Sequence, residues 1–268
     1  MNNKSLQSTP RKRKRRRKTR KISDNKLFRV IPFITIVAIV IVTAVFIIKN
    51  DRVGDCGNHA KQGIDVSHHQ GKIEWHVLAA RNDIKYVYIK ATEGATHKDT
   101  RYHENIKEAR KVGIPVGSYH YFHPNVPVEK QLANFTSVID MSQQDLLPVI
   151  DIEEPGKSKK AVCDSLLKFA QMITTHCGVA PIIYTGQNYY NEILHNRVNS
   201  YRLWIARYGI YKFKMTPRLR DRQEYHIWQY SNRGRVEGIE GDVDLNTLCG
   251  DVDIDAIMIK RASINSTD

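Results

Sequence analysis

The chain has 268 residues, 41% hydrophobic and 26% charged, with a formal net charge of +14. That composition is globular rather than disordered or collagen-like, and it fits one large domain or two small ones. Residues 1–29 hold 13 Lys/Arg and one acid, leaving 29 Lys/Arg against 27 Asp/Glu elsewhere, so the body is near neutral and lacks the clustered cation that nucleic-acid binding requires.

Within that first segment, residues 11–20 (RKRKRRRKTR) carry nine cations in ten positions, which repel one another and stay solvated as a basic tail over residues 1–29. Residues 30–48 (VIPFITIVAIVIVTAVFII) follow without a charge. As a helix they would extend about 28 Å, the thickness of a bilayer's hydrocarbon core. Pro32 falls in the first turn, where a missing N–H matters least. A cleaved signal peptide would have a shorter apolar stretch and a small-x-small site, whereas KNDRVGDCGN follows here. The expectation is therefore one uncleaved transmembrane helix over residues 30–48, a linker over 49–61 and a folded body over 62–268. Cations concentrated before the span place the N-terminus in the cytoplasm and the body in the periplasm or outside the cell, anchored in the inner or cytoplasmic membrane. The basic run also suits contact with anionic headgroups.

In the body, short apolar runs recur with turn signals after them: residues 63–66 (GIDV), 86–91 (YVYIKA), 115–122 (PVGSYHYF), 146–152 (LLPVIDI), 181–184 (PIIY), 203–207 (LWIAR), 225–230 (YHIWQY) and 243–245 (VDL). Eight such strands suit a closed barrel. Helical patterns separate the early runs at residues 74–81, 103–111, 128–140, 159–176 and 188–195. In the fourth, Val162, Leu166, Phe169, Met172 and Ile173 recur at three- and four-residue steps and mark one apolar face. Alternating strand and helix argues a parallel sheet. Residues 209–224 show no helical period, so the last three strands should connect without proper helices. The fold expected is α/β: an irregular (β/α)8 TIM-like barrel of five β/α units plus three further strands, preceded by the transmembrane helix.

Cys163 and Cys177 lie fourteen apart in one helical pattern, about 21 Å along its axis, too far to bridge. Cys56 and Cys249 are the better pair, with free buried thiols as the alternative. None of the spacings resembles a zinc site.

Barrel chemistry sits at the strand ends, and the polar residues there are acids: Asp65, Glu93, then Asp151, Glu153 and Glu154, then Asp242 and Asp244. Residues two apart on a strand share a face, so Asp151 and Glu153 point the same way and repel, which tends to keep one protonated as a general acid needs. Two acids flanking a bond equip a chain for glycoside hydrolysis. Taken alone, D-x-E at a strand end serves as readily to cap a helix or pair with an arginine. Tyr119, Tyr121, Tyr184, Trp204, Tyr208, Trp228 and Tyr230 shift the balance, since flat rings beside the acids suit sugar faces. No P-loop, G-x-G-x-x-G or G-x-S-x-G is present, which removes the usual nucleotide and α/β-hydrolase signatures. His68 and His69 diverge if extended, and His120 and His123 are not spaced to chelate, so no metal site is expected.

The segments GIDVSHHQGKIEW, YVYIKATEG, PVGSYHYF, LPVIDIEE, PIIYTG, LWIARYG, YHIWQYS and DVDLN occur in the order seen in glycoside hydrolase family 25 lysozymes, and the chain resembles that family from about residue 63 to 250. The resemblance implies N-acetylmuramidase activity: hydrolysis of the β-1,4 bond between N-acetylmuramic acid and N-acetylglucosamine in peptidoglycan glycan strands, with no cofactor. It implies Glu153 as general acid/base. Asp151 and Asp65 become the acids that tune it and orient the substrate acetamido group, and Asp244 the fourth acid of the cleft. It also implies retention of configuration with that acetamido group as internal nucleophile. Tyr119, Tyr184, Tyr208, Trp228 and Glu93 are substrate-binding candidates, Asp242 is the weaker choice beside Asp244, and Glu154 is structural. Two rival readings remain: a non-catalytic glycan-binding relative, and a membrane-tethered interaction domain. The oligomeric state stays open.

Overall fold

The computed structural model describes residue 32 and residues 34–42, 62–209 and 216–261 of a chain that divides into two units, residues 1–52 and 53–268. In the first unit residues 34–42 are helical, with Ile34, Ile36, Ile39 and Ile41 exposed. Among the described residues no helix is long and apolar enough to cross a membrane. The basic tail, both ends of the expected span, the linker to residue 61 and Cys56 lie outside the described residues.

In the second unit, the described residues form β1 (Gln62–Val66), β2 (Ile84–Glu93), β3 (His97–Lys98), β4 (Val116–Tyr121), β5 (Val149–Asp151), β6 (Ile182–Gly186), β7 (Arg202–Ala206), β8 (Ile227–Gly234) and β9 (Val243–Leu248). Their order is β1-β9-β8-β7-β6-β5-β4-β2-β3, and β1 also pairs with β2. Eight strands thus close into a barrel, with β3 a short arm folded back on β2. The parallel arrangement expected from strand–helix alternation holds for the barrel strands β1, β2 and β4 through β8, but β9 runs antiparallel to both its neighbours. With no helix between β8 and β9, the chain turns back as a hairpin, and the last strand enters the barrel from the opposite end.

Five helical segments follow the early strands: α1 (Trp75–Ala80), α2 (Tyr102–Lys111), α3 (Val128–Thr136), α4 (Lys159–Cys177) and α5 (Gln187–Tyr189), which continues as a π turn over Tyr190–Leu194. The helix expected over 128–140 ends at Thr136, because Asp140 instead accepts from the Ser142 N–H at 2.9 Å and opens a separate 3₁₀ turn. Ser158 caps α4 by accepting from the Ala161 N–H, and Gly178, at φ 73°, ends it in the left-handed region. Cys163 and Cys177 both lie on α4, as free thiols.

Side-chain alternation along the strands separates two cores. Outward residues such as Val87, Ile89, Ile150, Ile183 and Ile205 pack against Leu78, Ile106, Phe135, Leu166 and Phe169 of the helices. Inward residues, among them Tyr86, Tyr88, Val149, Ile182, Trp204, Ile227 and Leu248, fill the barrel. Two glycines make room for the inner rings: a Cβ on Gly63 would sit 2.3 Å from the Tyr86 ring, and one on Gly117 2.4 Å from Tyr88. Tyr88 and Trp204 meet with ring centroids 5.0 Å apart. This aromatic floor plugs the barrel, so polar side chains can gather only at its mouth.

Candidate active site

At the ends where the parallel strands finish, a cavity of about 450 Å³ opens above the aromatic floor. Asp65 reaches it from β1, Asp151 from the last residue of β5 and Glu153 from just beyond. Asp244 arrives by the opposite logic: it is near the start of β9, and only because β9 is antiparallel does that end lie at the same mouth. There it stands directly opposite Asp65 in the β1–β9 register. The four acids singled out in the sequence therefore line one cavity, with Tyr119, Tyr184 and Tyr208 among its walls.

Two other candidates are elsewhere. Trp228 faces outward into the helix-side core and its Nε1–H donates to the Arg207 carbonyl at 2.9 Å. Ile227 and Gln229, its neighbours on β8, take the inward positions, so alternation excludes Trp228 from the cleft. Glu93 is not in the cavity wall; it sits beyond it, joined to Lys90 and His123. Asp242 precedes β9 and pairs at the surface with Arg235 at 2.9 Å. His68 and His69 do not diverge: they share a 3₁₀ turn closed by a Ser67–Gln70 capping box, and their ring centroids are 4.0 Å apart. His120 is buried and satisfied by Thr92 and Gln131, with its pKa pushed down to about 4 by burial. Among the described residues no three His, Cys, Asp or Glu side chains group to hold a metal ion.

Asp65 is held by two buried amides. Its Oδ2 accepts from Gln229 Nε2 at 2.9 Å and from Asn246 Nδ2 at 2.7 Å. Both amides are oriented from behind: the Tyr184 and Tyr208 hydroxyls donate to Gln229 Oε1 at 2.8 and 2.6 Å, and Trp204 Nε1–H donates to Asn246 Oδ1 at 3.0 Å. With their oxygens so engaged, both amides can only present N–H to Asp65. Gln229, Asn246 and the cavity-lining Lys90 were not among the sequence candidates. Each lies in a strand at even spacing from an inward residue: Gln229 two after Ile227, Asn246 two after Asp244, Lys90 two after Tyr88. Alternation was the signal that could have found them.

Proton affinity is raised throughout the cluster. Burial pushes Asp65 up to about 6 against the opposing pull of Asn246 and Gln229. Burial, then the charges of Asp65 and Glu153, push Asp244 up to about 8. The hydrogen bond between these two lowers Asp65 and raises Asp244, so the pair holds one proton between them. Asp151 is driven well above the carboxylate range by burial and by its acidic neighbours, and its buried Oδ1 has no hydrogen-bond partner. Glu153 is open to the solvent of the cleft, yet enclosure by its walls still raises it, opposed by the neighbouring Tyr184 hydroxyl and by the Lys90 charge. A cleft of four acids that hold protons toward neutrality is suited to general acid chemistry.

Comparison with known proteins places the barrel in a family. The family model described as Glycosyl hydrolases family 25 matches residues 64–239. An uncharacterized protein of Escherichia coli strain K12, YegX, is 36% identical over 196 residues, covering 71% of this chain and 70% of YegX. The autolytic lysozyme of Clostridium acetobutylicum is 32% identical over 186 residues, covering 69% of this chain and 55% of that protein. Among solved structures, the bacterial lysozyme of Streptomyces coelicolor is similar at a TM-score of 0.62 and 31% identity, over 74% of this chain and 93% of that one.

Proposed function

The chain belongs to glycosyl hydrolases family 25, and we propose on that premise that it is a peptidoglycan muramidase, cleaving the β-1,4 bond between N-acetylmuramic acid and N-acetylglucosamine with Glu153 as general acid. The observation that carries this reading is the convergence of Asp65, Asp151, Glu153 and Asp244 on one cavity.

Glu153, raised and open to the cleft, donates its proton to the glycosidic oxygen as the bond breaks. The 2-acetamido group of the muramic acid attacks the anomeric carbon from the other side, giving a retained product after water opens the cyclic intermediate. The unpartnered Asp151 Oδ1 suits acceptance of the acetamido N–H, which would otherwise leave that buried oxygen unsatisfied. Asp65, fixed by Gln229 and Asn246 and sharing a proton with Asp244, holds negative charge near the developing oxocarbenium. Tyr119, Tyr184 and Tyr208 line the cavity with rings that suit the sugars. Glu153→Gln should lower turnover on purified peptidoglycan by about 10²–10⁴-fold with the circular dichroism spectrum unchanged. Near-normal turnover in that variant would overturn the assignment.

Residues 30–48, in this reading, anchor the chain in the inner or cytoplasmic membrane, N-terminus in the cytoplasm, with the barrel on the peptidoglycan side. The support is the uncharged run of nineteen residues and the 13 cations before it. Membrane fractions washed with alkaline carbonate should retain the chain, and external protease should reach the barrel but not the tail; release by carbonate would refute the anchor.

A further inference from the structure

A line of polar contacts runs from the cleft wall to the residue after Glu153. Lys90 lines the cavity, its Nζ 5.1 Å from the centre of the Tyr121 ring and 2.7 Å from Glu93 Oε2. The other oxygen of Glu93 lies 3.2 Å from His123 Nε2, and His123 Nδ1 lies 2.6 Å from Glu154 Oε2. The imidazole thus faces a carboxylate from each nitrogen. Glu93 ends β2, His123 follows β4 and Glu154 follows β5, so the ring laces three neighbouring strand ends together.

The surroundings are built to hold the ring there. Gly94, at φ 51°, leaves space that a Cβ would fill 2.7 Å from His123 Cδ2. Gln131, fully buried on α3, accepts from the His123 N–H and donates to the His123 carbonyl, both at 3.0 Å. Asn134, one turn on, donates to the carbonyls of Glu93, Gly94 and His97. Tyr189 donates to the Glu154 carbonyl at 2.8 Å. The titratable and charged groups around the ring are Glu93 from β2, Glu154 beyond β5, and Tyr121 and His120 from β4.

We propose that His123 is a positioning residue: by bridging Glu93 and Glu154 it fixes the Lys90 ammonium at the cleft wall and steadies the segment that carries Glu153. The proposal rests on the reading of this cleft as the site of glycoside cleavage. Its consequence follows from charge. Lys90 is the cation that opposes proton uptake by both Asp151 and Glu153, while Glu93, which burial would raise, is held below its ordinary range by Lys90 and His123. Without the ring, Glu93 loses its second anchor and the Lys90–Glu93 pair is free to turn toward solvent.

The test uses the full-length chain in detergent, with carboxyl titrations followed by NMR on 13C-labelled Asp and Glu and with pH profiles of kcat/KM on peptidoglycan fragments. His123→Gln should move the Asp151 and Glu153 midpoints to higher pH by about 0.5–1 unit, a fraction of the 1–3 that a fully placed opposite charge gives. Both limbs of the rate profile should follow, with KM changed less than about twofold. Lys90→Met should move them further, and the double variant no further than Lys90→Met alone. Unmoved midpoints, or shifts that add in the double variant, would overturn the proposal. Should His123→Gln not fold, Glu154→Gln cuts the same link at a partly exposed side chain and is read in the same way. If the wild-type chain cleaves no peptidoglycan, the muramidase reading fails, and the carboxyl titrations alone still decide the role of His123.

Discussion

Asp244→Asn isolates the proton held between β9 and β1. In the folded chain burial and the Asp65 charge keep that proton on Asp244 up to about pH 8, whereas the unfolded chain releases it near 3.8. Across that interval the unfolded state binds fewer protons, so stability falls as pH rises and levels off above 8. At 1.36 kcal/mol per pH unit the rise corresponds to an upper bound of about 6 kcal/mol. Because Asp244 borders the solvent of the cleft and shares its proton with Asp65, about 1–3 kcal/mol is the realistic cost. Asparagine cannot ionise, and its amide can keep the hydrogen bond to Asp65. Urea denaturation followed by tryptophan fluorescence should find the two chains about equally stable at pH 4, and the variant more stable by about 1–3 kcal/mol at pH 9. Glycan cleavage should fall in the same variant. A variant less stable at pH 9, or a difference that does not change with pH, would refute the shared-proton arrangement.

Trp228→Phe should cost about 1–3 kcal/mol in denaturation, through lost packing and the lost bond to the Arg207 carbonyl, while kcat/KM stays within about twofold; a large KM rise would put the ring in the cleft after all. Gly117→Ala should destabilise by about 1–3 kcal/mol or more, because its Cβ meets the Tyr88 ring at 2.4 Å on the packed floor of the barrel, and an unshifted denaturation midpoint would contradict that packing.

Most strands and all five helical segments were legible because apolar runs and three-to-four-residue periodicity are local signals. The direction of β9 was not: a strand's apolar pattern reads the same either way, and its orientation is set by the hairpin with β8 and by closure onto β1. That hidden reversal is what brings Asp244 to the mouth. The two-residue arm β3 carries no apolar run to announce it. Trp228 was misplaced because aromatic type was weighed above alternation, which puts Gln229 inward instead. The amides that hold Asp65 are uncharged and buried, so nothing in their composition marks them; only the inward register of β8 and β9 does.

The most direct measurement is mass spectrometry of the fragments released when the full-length chain digests purified peptidoglycan, run beside Glu153→Gln. N-acetylmuramic acid at every new reducing end, with no fragments from the variant, is the expected result. N-acetylglucosamine at those ends, or no cleavage by the wild-type chain, would contradict muramidase action at this cleft.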